Sequence, residues 1–252
     1  MKKNGFIVKL PEDIDALSQD EEYCFVFNNG DKRKIRFHDY HEIYKIPGLY
    51  EHIFYDRLKC ISHKVVTSSL MEELENSQDT VHDLSVIELG AGNGLVGEAL
   101  KEKGVDSIIG VDIIEEAEDA VSRDRPDVYN EYYIKDFCNL TEQSRNEFAS
   151  KNLNCLVCVA ALGFGDIPPY AFANAFNLIS DGGWIAFNIK ADFIKDSDST
   201  GFSKLINNII EKGQLEVAAK DSYCHRFSVN GKSLEYVAII GKKHANIPLD
   251  MV

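Results

Sequence analysis

From Leu84 to Gly241, short apolar runs alternate with amphipathic stretches. The runs at 84–89, 107–112, 131–135, 154–160, 183–189, about 215–227 and 234–241 have strand character. Between them, residues 94–103, 115–122, about 141–150, 168–179 and 202–212 are helical in pattern. Strands that alternate with helices predict a doubly wound parallel sheet. The last two strands are joined only by a short link at Asn230-Gly231, so they form an antiparallel hairpin. The expected fold class is α/β: a Rossmann-like, seven-stranded, mostly parallel sheet with an antiparallel last strand. A dinucleotide-binding domain would more often continue with a sixth parallel strand.

The first 76 residues follow another pattern. Residues 23–37 hold two strand-like runs around Asn29-Gly30, a hairpin turn signal. The aromatic-rich stretch from His38 follows. Phe54, Leu58, Ile61 and Val65 recur at helical spacing, Val66, Leu70 and Leu74 continue a similar stripe, and Ser62 is placed to cap a helix. Residues 1–76 therefore read as a hairpin and helical lid, and 77–252 as a ligand-binding sheet domain that forms one compact unit with it.

Composition narrows the partners. A net charge of −14 disfavours nucleic acid and anionic membranes, which need a cationic footprint. The one basic cluster, Asp31-Lys-Arg-Lys34, reads as a solvated turn. There is no run of ~18 apolar residues and no recognisable targeting segment, since Pro11-Glu12-Asp13 interrupts the N-terminal stretch. Six cysteines in such a chain suggest reduced thiols and a cytoplasmic setting. Cys155-x-x-Cys158 lies inside a strand pattern, where residues three apart point to opposite faces, so the two thiols are not expected to converge.

The stretch VIELGAGNGLVGEAL, Val86 to Leu100, carries the chemistry. A glycine-rich turn after a strand lets a ligand approach the backbone, and the following helix offers free N–H groups. Two registers overlap: Glu88-x-Gly90-x-Gly92-x-Gly94 and Gly92-x-Gly94-x-x-Gly97. The second, a dinucleotide-type pattern, begins two residues too far into the loop, and the same pattern started from Gly90 would need a glycine at Leu95. The first register fits, with Ala91 and Asn93 in the loop and Glu88 at the strand end, where a methionine amino group could be recognised. Asp112 ends the second strand, beside Ile113, where a carboxylate can accept both ribose hydroxyls. Asp136 and Phe137 end the third, a carboxylate for an adenine amine and a ring beside it.

These elements resemble class I methyltransferases dependent on S-adenosylmethionine (SAM), over roughly residues 60–241. The stretches HDYHEIYKIPGLYEHIFYDRLKC, FGDIPPYAF, DGGWIAFNIK, YCHRFSV and YVAIIGKK are similar to a bacterial small-molecule-type group related to the Williams–Beuren-region methyltransferase-like proteins. The resemblance implies SAM as cofactor and methyl transfer to a small-molecule acceptor; it leaves the acceptor and the oligomeric state open. It also implies that the acceptor meets the methyl group near the ends of strands four and five, under the N-terminal segment. Ala160 and Leu162 lie at that end of strand four, with no carboxylate among Ala160–Phe164, so no metal is expected. Asp166 reads as the cap of a helix begun by Pro168-Pro169.

For the acceptor, Asn188 and Lys190 share a strand face. His225 is a candidate general base and Arg226 a candidate carboxylate fork, and only one of two adjacent strand residues can face a cavity. His38 and His41 read as solvated. Tyr44 and Tyr50, with Tyr40 and Tyr55, could cover the sulfonium by cation–π contact. An NAD-linked oxidoreductase and a non-catalytic SAM-binding regulator remain as alternatives.

Overall fold

In the computed structural model, residues 5–11, 17–28, 30–195 and 197–252 are described. Asn29 of the expected hairpin turn, Glu12 and Asp13 of the N-terminal interruption, and the first four residues lie outside them.

Seven strands build the main sheet: β4 (Ser85–Leu89), β5 (Ser107–Asp112), β6 (Glu131–Ile134), β7 (Cys155–Cys158), β8 (Trp184–Lys190), β9 (Leu215–Phe227) and β10 (Ser233–Lys243). Their order across the sheet is β6-β5-β4-β7-β8-β10-β9. The first five pair in parallel, and β10 runs antiparallel to both β8 and β9. β4 and β7 are buried at nearly every residue because helices cover both faces, which is why β7 reads as an unbroken apolar run and Val86–Leu89 of β4 as one broken only by Glu88. One face carries α3 (Ser62–Ser77) and α4 (Leu95–Glu102), packed on Val86, Ile108, Val157 and Trp184, while α5 (Glu115–Asp124) packs beside β5 and β6. The other carries α6 (Glu142–Ala149), α7 (Pro169–Leu178) and α8 (Phe202–Glu211), with Phe148, Phe172, Phe176, Phe187 and Phe202 at its centre. Fully burying each such side chain contributes ~1.5–3 kcal/mol. Cys155 belongs to the first core and Cys158 to the second, on opposite sheet faces as their spacing requires.

The N-terminal segment has a core of its own. β1 (Phe6–Lys9), which the sequence pattern did not reveal, adds a third strand to the hairpin of β2 (Tyr23–Asn28) and β3 (Asp31–Arg36). Four residues are too few to show alternation against background. The basic cluster 31–34 is not a turn but the start of β3: Lys32 lies 4.1 Å over the Phe25 ring and Lys34 3.8 Å over Tyr23, cross-strand cation–π contacts. The helical stretch after His38 is broken into α1 (Tyr40–Tyr44), α2 (Leu49–Glu51) and a π-helical turn over His52–Arg57. Gly48, with φ of 73°, makes the first break. α3 starts after Ile61, and Ser62 does not cap it; its hydroxyl turns to the sheet instead.

β9 anchors this segment to the sheet. The Phe227 amide donates to the Leu58 carbonyl (2.8 Å), and the Ile61 amide to the His225 carbonyl (3.1 Å). The β9–β10 register shifts between Leu234, paired with Arg226, and Glu235, paired with Cys224. His225 is the extra residue of a β-bulge.

Candidate active site

Parallel strands deliver their loops to one edge of the sheet, and the Gly-rich turn lies there, between β4 and α4. Gly90, Gly92 and Gly94 all have positive φ (75°, 53° and 85°). Gly94 is the N-cap of α4. At Gly92 the fit is tight from above as well: a Cβ there would lie 2.5 Å from the Tyr44 hydroxyl. Gly97 has a different task from its neighbours, since a Cβ on it would press into Val128 and Tyr129.

Asp112 holds this loop from the next strand. One carboxylate oxygen accepts the Gly92 amide (2.8 Å), and the other accepts the amides of Ile113 (2.8 Å) and Ile114 (3.1 Å). Burial raises its pKa despite these donors. Glu88 is almost wholly buried, with one strong donor, the Tyr129 hydroxyl at 2.8 Å. Burial, with the Asp112 charge adding to it, pushes its carboxyl up to about 8. An acid in this state accepts a ligand cation readily, because the cation replaces the water that burial removed. Asp136 folds back on its own turn, accepting the Cys138 amide (2.8 Å) and the Asn139 side chain (2.6 Å).

These groups line one cavity of about 1450 Å³, its open mouth included. It runs from Asp136 and Phe137, past Ile113 and Asp112, over Glu88, Gly90, Ala91, Gly92 and Asn93, to Ala160 and Leu162, and ends against Tyr44, Tyr50, His225 and Arg226. Phe137 reaches it from the core, where its ring packs 5.3 Å from Phe148. The N-terminal segment forms the roof. Tyr40, Tyr44, Tyr50 and Phe54 make a continuous series of ring contacts at 4.7–6.0 Å. Arg125 stitches roof to floor, donating to Glu51 (2.9 Å) and to the Asn93 carbonyl (3.1 Å), while Asn93 donates to Glu51 (2.8 Å).

No protein-family profile and no curated protein matches the chain. Solved structures do match. An S-adenosylmethionine-dependent methyltransferase from Clostridium acetobutylicum superposes with a TM-score of 0.55 at 12% identity, over 78% of this chain and 97% of that one. The fold is that of class I SAM-dependent methyltransferases. Magnesium protoporphyrin IX methyltransferase from Synechocystis, with bound SAH, gives 0.51 at 11% identity over 72% and 82%. A putative RNA methyltransferase from Pyrococcus horikoshii gives 0.51 at 16% over 71% and 84%. One methyltransferase fold thus serves acceptors as different as these, and it does not name the acceptor here.

Within this methyltransferase fold several expected residues stand elsewhere than the sequence suggested. Gly94 is not in the cavity wall; it shapes the loop from behind, where Arg125, Val121 and Tyr129 crowd it. Asn188 and Lys190 do not line the cavity either. Asn188 is buried, accepting the Ala160 amide (2.6 Å) and donating to Ser62 (3.0 Å) and Tyr223 (2.6 Å). It thereby braces Ala160, which sits at an unfavourable φ of 56°. Lys190 faces the Phe164 and Phe193 rings, 5.3 and 5.6 Å away, and Asp192. His225 and Arg226 both reach the cavity, against the alternation rule, because the bulge at His225 turns two successive side chains the same way. Arg226 is no free fork: its guanidinium meets the Glu22 carboxylate at 2.6 Å, and both are buried. The His225 Nδ1 lies 2.6 Å from Ser62 Oγ, and its ring stacks on Tyr236 at 4.1 Å. Burial, with Arg226 beside it, holds its pKa well below the usual histidine value.

The sequence reading missed a pair. His38 is not solvated and Asp166 is not a helix cap; α7 is capped by Pro168, and His38 Nδ1 contacts Asp166 Oδ2 at 2.9 Å. Both line the cavity. No signal in the sequence links residues 128 positions apart.

Proposed function

We propose that this chain transfers a methyl group from SAM to a small-molecule acceptor. The observation that carries the reading is the convergence of Glu88, residues 90–93 of the glycine turn, Asp112 and Asp136 on one cavity that continues under the N-terminal tyrosines. The residues fit the cofactor's chemistry. Glu88, buried and under-partnered, suits the methionyl ammonium; Asp112 has oxygens directed by three amides and suits the ribose diol; Asp136 suits the adenine amine. SAM supplies an electrophilic methyl group with a good leaving group.

The chain's own residues bind, orient and exclude water. The tyrosine roof offers ring faces to a sulfonium at ~0.5–2 kcal/mol each. Holding the acceptor in line with the methyl group supplies much of the rate in such a transfer. A roof closed by Arg125 and the Tyr40–Phe54 ring series keeps competing water out.

Calorimetric titration with SAM, S-adenosylhomocysteine (SAH) and NAD tests this. SAM and SAH are expected to bind and NAD not to bind. Asp112→Ala should weaken SAM at least about tenfold, because charge-assisted hydrogen bonds are worth ~1.5–3 kcal/mol each. Preferential binding of NAD would sink the proposal.

A further inference from the structure

Resting on that reading, we propose that the acceptor is a hydroxylated aromatic molecule without a carboxylate or phosphate group, whose hydroxyl proton is taken by His38, held in place by Asp166.

The acceptor end of the cavity is largely aromatic, and its charged side chains Arg226 and Asp166 are already paired. Phe37, Tyr40, Phe54, Tyr55, Phe164 and Tyr236 supply its walls. Among the described residues the one guanidinium at this end, Arg226, already meets Glu22 at 2.6 Å, with only 3% and 1% of the two side chains exposed. A carboxylate or phosphate on the acceptor would have to break that pair, leaving a buried Glu22 without its partner, a loss of the kind that is strongly destabilising. A planar aromatic ring needs no such rearrangement and can pack against these rings.

His38 has the build of a base. A carboxylate oxygen can only accept, so the 2.9 Å contact to Asp166 puts the proton on Nδ1 and leaves the Nε2 lone pair free. Among the described residues no hydrogen bond to His38 Nε2 is found, and its ring is fixed between Tyr40 (5.7 Å) and Phe164 (5.3 Å). A nitrogen acceptor oriented by a carboxylate behind it is the arrangement that general-base catalysis needs. His225 is differently placed: its Nδ1 is engaged by Ser62, and a second positive charge beside Arg226 is disfavoured. Phe164 itself sits at φ 54° between Gly163 and Gly165, so the loop that aims Asp166 is held in an uncommon shape.

The step balances as follows. The acceptor oxygen attacks the methyl carbon while its O–H bond breaks. The proton passes to His38 Nε2, and the imidazolium is stabilised by Asp166. The methyl–sulfur bond breaks with its electron pair left on sulfur, giving a neutral thioether. The imidazolium then returns its proton to solvent.

The experiment uses the full chain, SAM and two phenolic probes at one slightly alkaline pH: catechol, which keeps its proton there, and 4-nitrophenol, which has largely lost it. SAH binding is measured in parallel on every variant. Wild-type protein is expected to methylate both. His38→Ala should retain SAH binding but lose catechol turnover by ~10²–10⁴-fold, the usual weight of general-base catalysis, while 4-nitrophenol turnover stays within a few-fold. Asp166→Asn should show the same selective loss, because it favours the wrong tautomer. A residue that only supports the fold would depress both probes alike, and that result overturns the role of His38. If SAH binds but neither phenol is methylated or bound by the wild-type protein, the acceptor class is wrong. If SAH does not bind at all, the underlying methyltransferase reading is what fails.

Discussion

Arg226 and Glu22 meet at 2.6 Å with almost no exposed surface, joining the end of β9 to the chain entering β2. Glu22 also accepts the Val229 amide at 2.6 Å, and the Arg226 guanidinium lies 5.6 Å from the Phe37 ring and 5.9 Å from Phe54. Buried ions stabilise only as a satisfied set, and removing one leaves the other stranded. Glu22→Ala is therefore expected to lower unfolding free energy by ~3–5 kcal/mol. Replacing both partners by apolar residues of similar size should cost less than the single change. Urea denaturation of the three proteins checks this, and a double variant at least as unstable as Glu22→Ala would contradict it.

The pair shows where sequence reading stops. The central strands were legible because burial on both faces leaves an uninterrupted apolar run, as in Leu156–Val159, or one broken only by a site residue, as at Glu88 in Val86–Leu89. The Gly90–Gly94 turn was legible because positive φ restricts the residue type. Arg226 read as a fork for an acceptor because a sequence carries no record of Glu22, 204 positions away. The bulge at His225 likewise depends on how β9 meets β10, and one inserted residue undoes the alternation on which the facing of both side chains was inferred. Asn188 was placed on the correct strand but towards the wrong neighbour: it serves the Ala160 backbone rather than the cavity.

Glu88 sets a pH dependence. Its carboxyl titrates at about 8 when folded, against an ordinary value of 4.5. Between those values the folded chain holds a proton that the unfolded chain has released, so stability falls as pH rises through this window. His63, lowered to about 4, and His225, lowered further, act the other way: both cost stability as pH falls below their ordinary 6.5. The Glu88 contribution is therefore cleanest between pH 6.5 and 8. There, the melting temperature of the ligand-free protein should decline, and Glu88→Gln should flatten the decline. SAH should bind with proton release in wild type and without it in Glu88→Gln, as read by calorimetry in buffers of different ionisation enthalpy. A variant that keeps the full slope would assign the proton elsewhere.

The roof should order on ligand binding. α1 and α2 are short, and among the described residues they reach the sheet domain through few polar links: Arg123 to the Tyr44 carbonyl (3.2 Å), Lys45 to Glu116 (3.2 Å), and Arg125 (2.9 Å) and Asn93 (2.8 Å) to Glu51. Segments with so few ties open at low free energy. Amide hydrogen exchange across residues 38–57 should slow when SAH is added, while β4 and β7 stay unchanged. Protection that is already high and identical in both states would make this segment a fixed part of the core rather than a moving cover.

Gly92 and Tyr44 provide the sharpest test of how roof and turn fit. Gly92→Ala meets two separate obstacles. Its φ of 53° is one that an alanine adopts at a cost of roughly 1–2 kcal/mol. Its Cβ would also stand 2.5 Å from the Tyr44 hydroxyl and 3.4 Å from the ring carbon that carries it. Only the second obstacle can be removed from the other side. Tyr44→Phe deletes the hydroxyl and keeps the ring against Tyr40 and Tyr50. Alone, Tyr44→Phe should change stability little, since no hydrogen bond to that hydroxyl is found among the described residues. Gly92→Ala alone should weaken SAH binding by well over tenfold, because Tyr44 is driven off the turn and the Asp112–Gly92 bond at 2.8 Å is strained. The double variant should recover part of that loss but not all, since the backbone strain persists. The coupling is measured by a double-mutant cycle on SAH affinity. Simple additivity of the two changes would mean that the turn moves away from Tyr44 rather than pushing it aside.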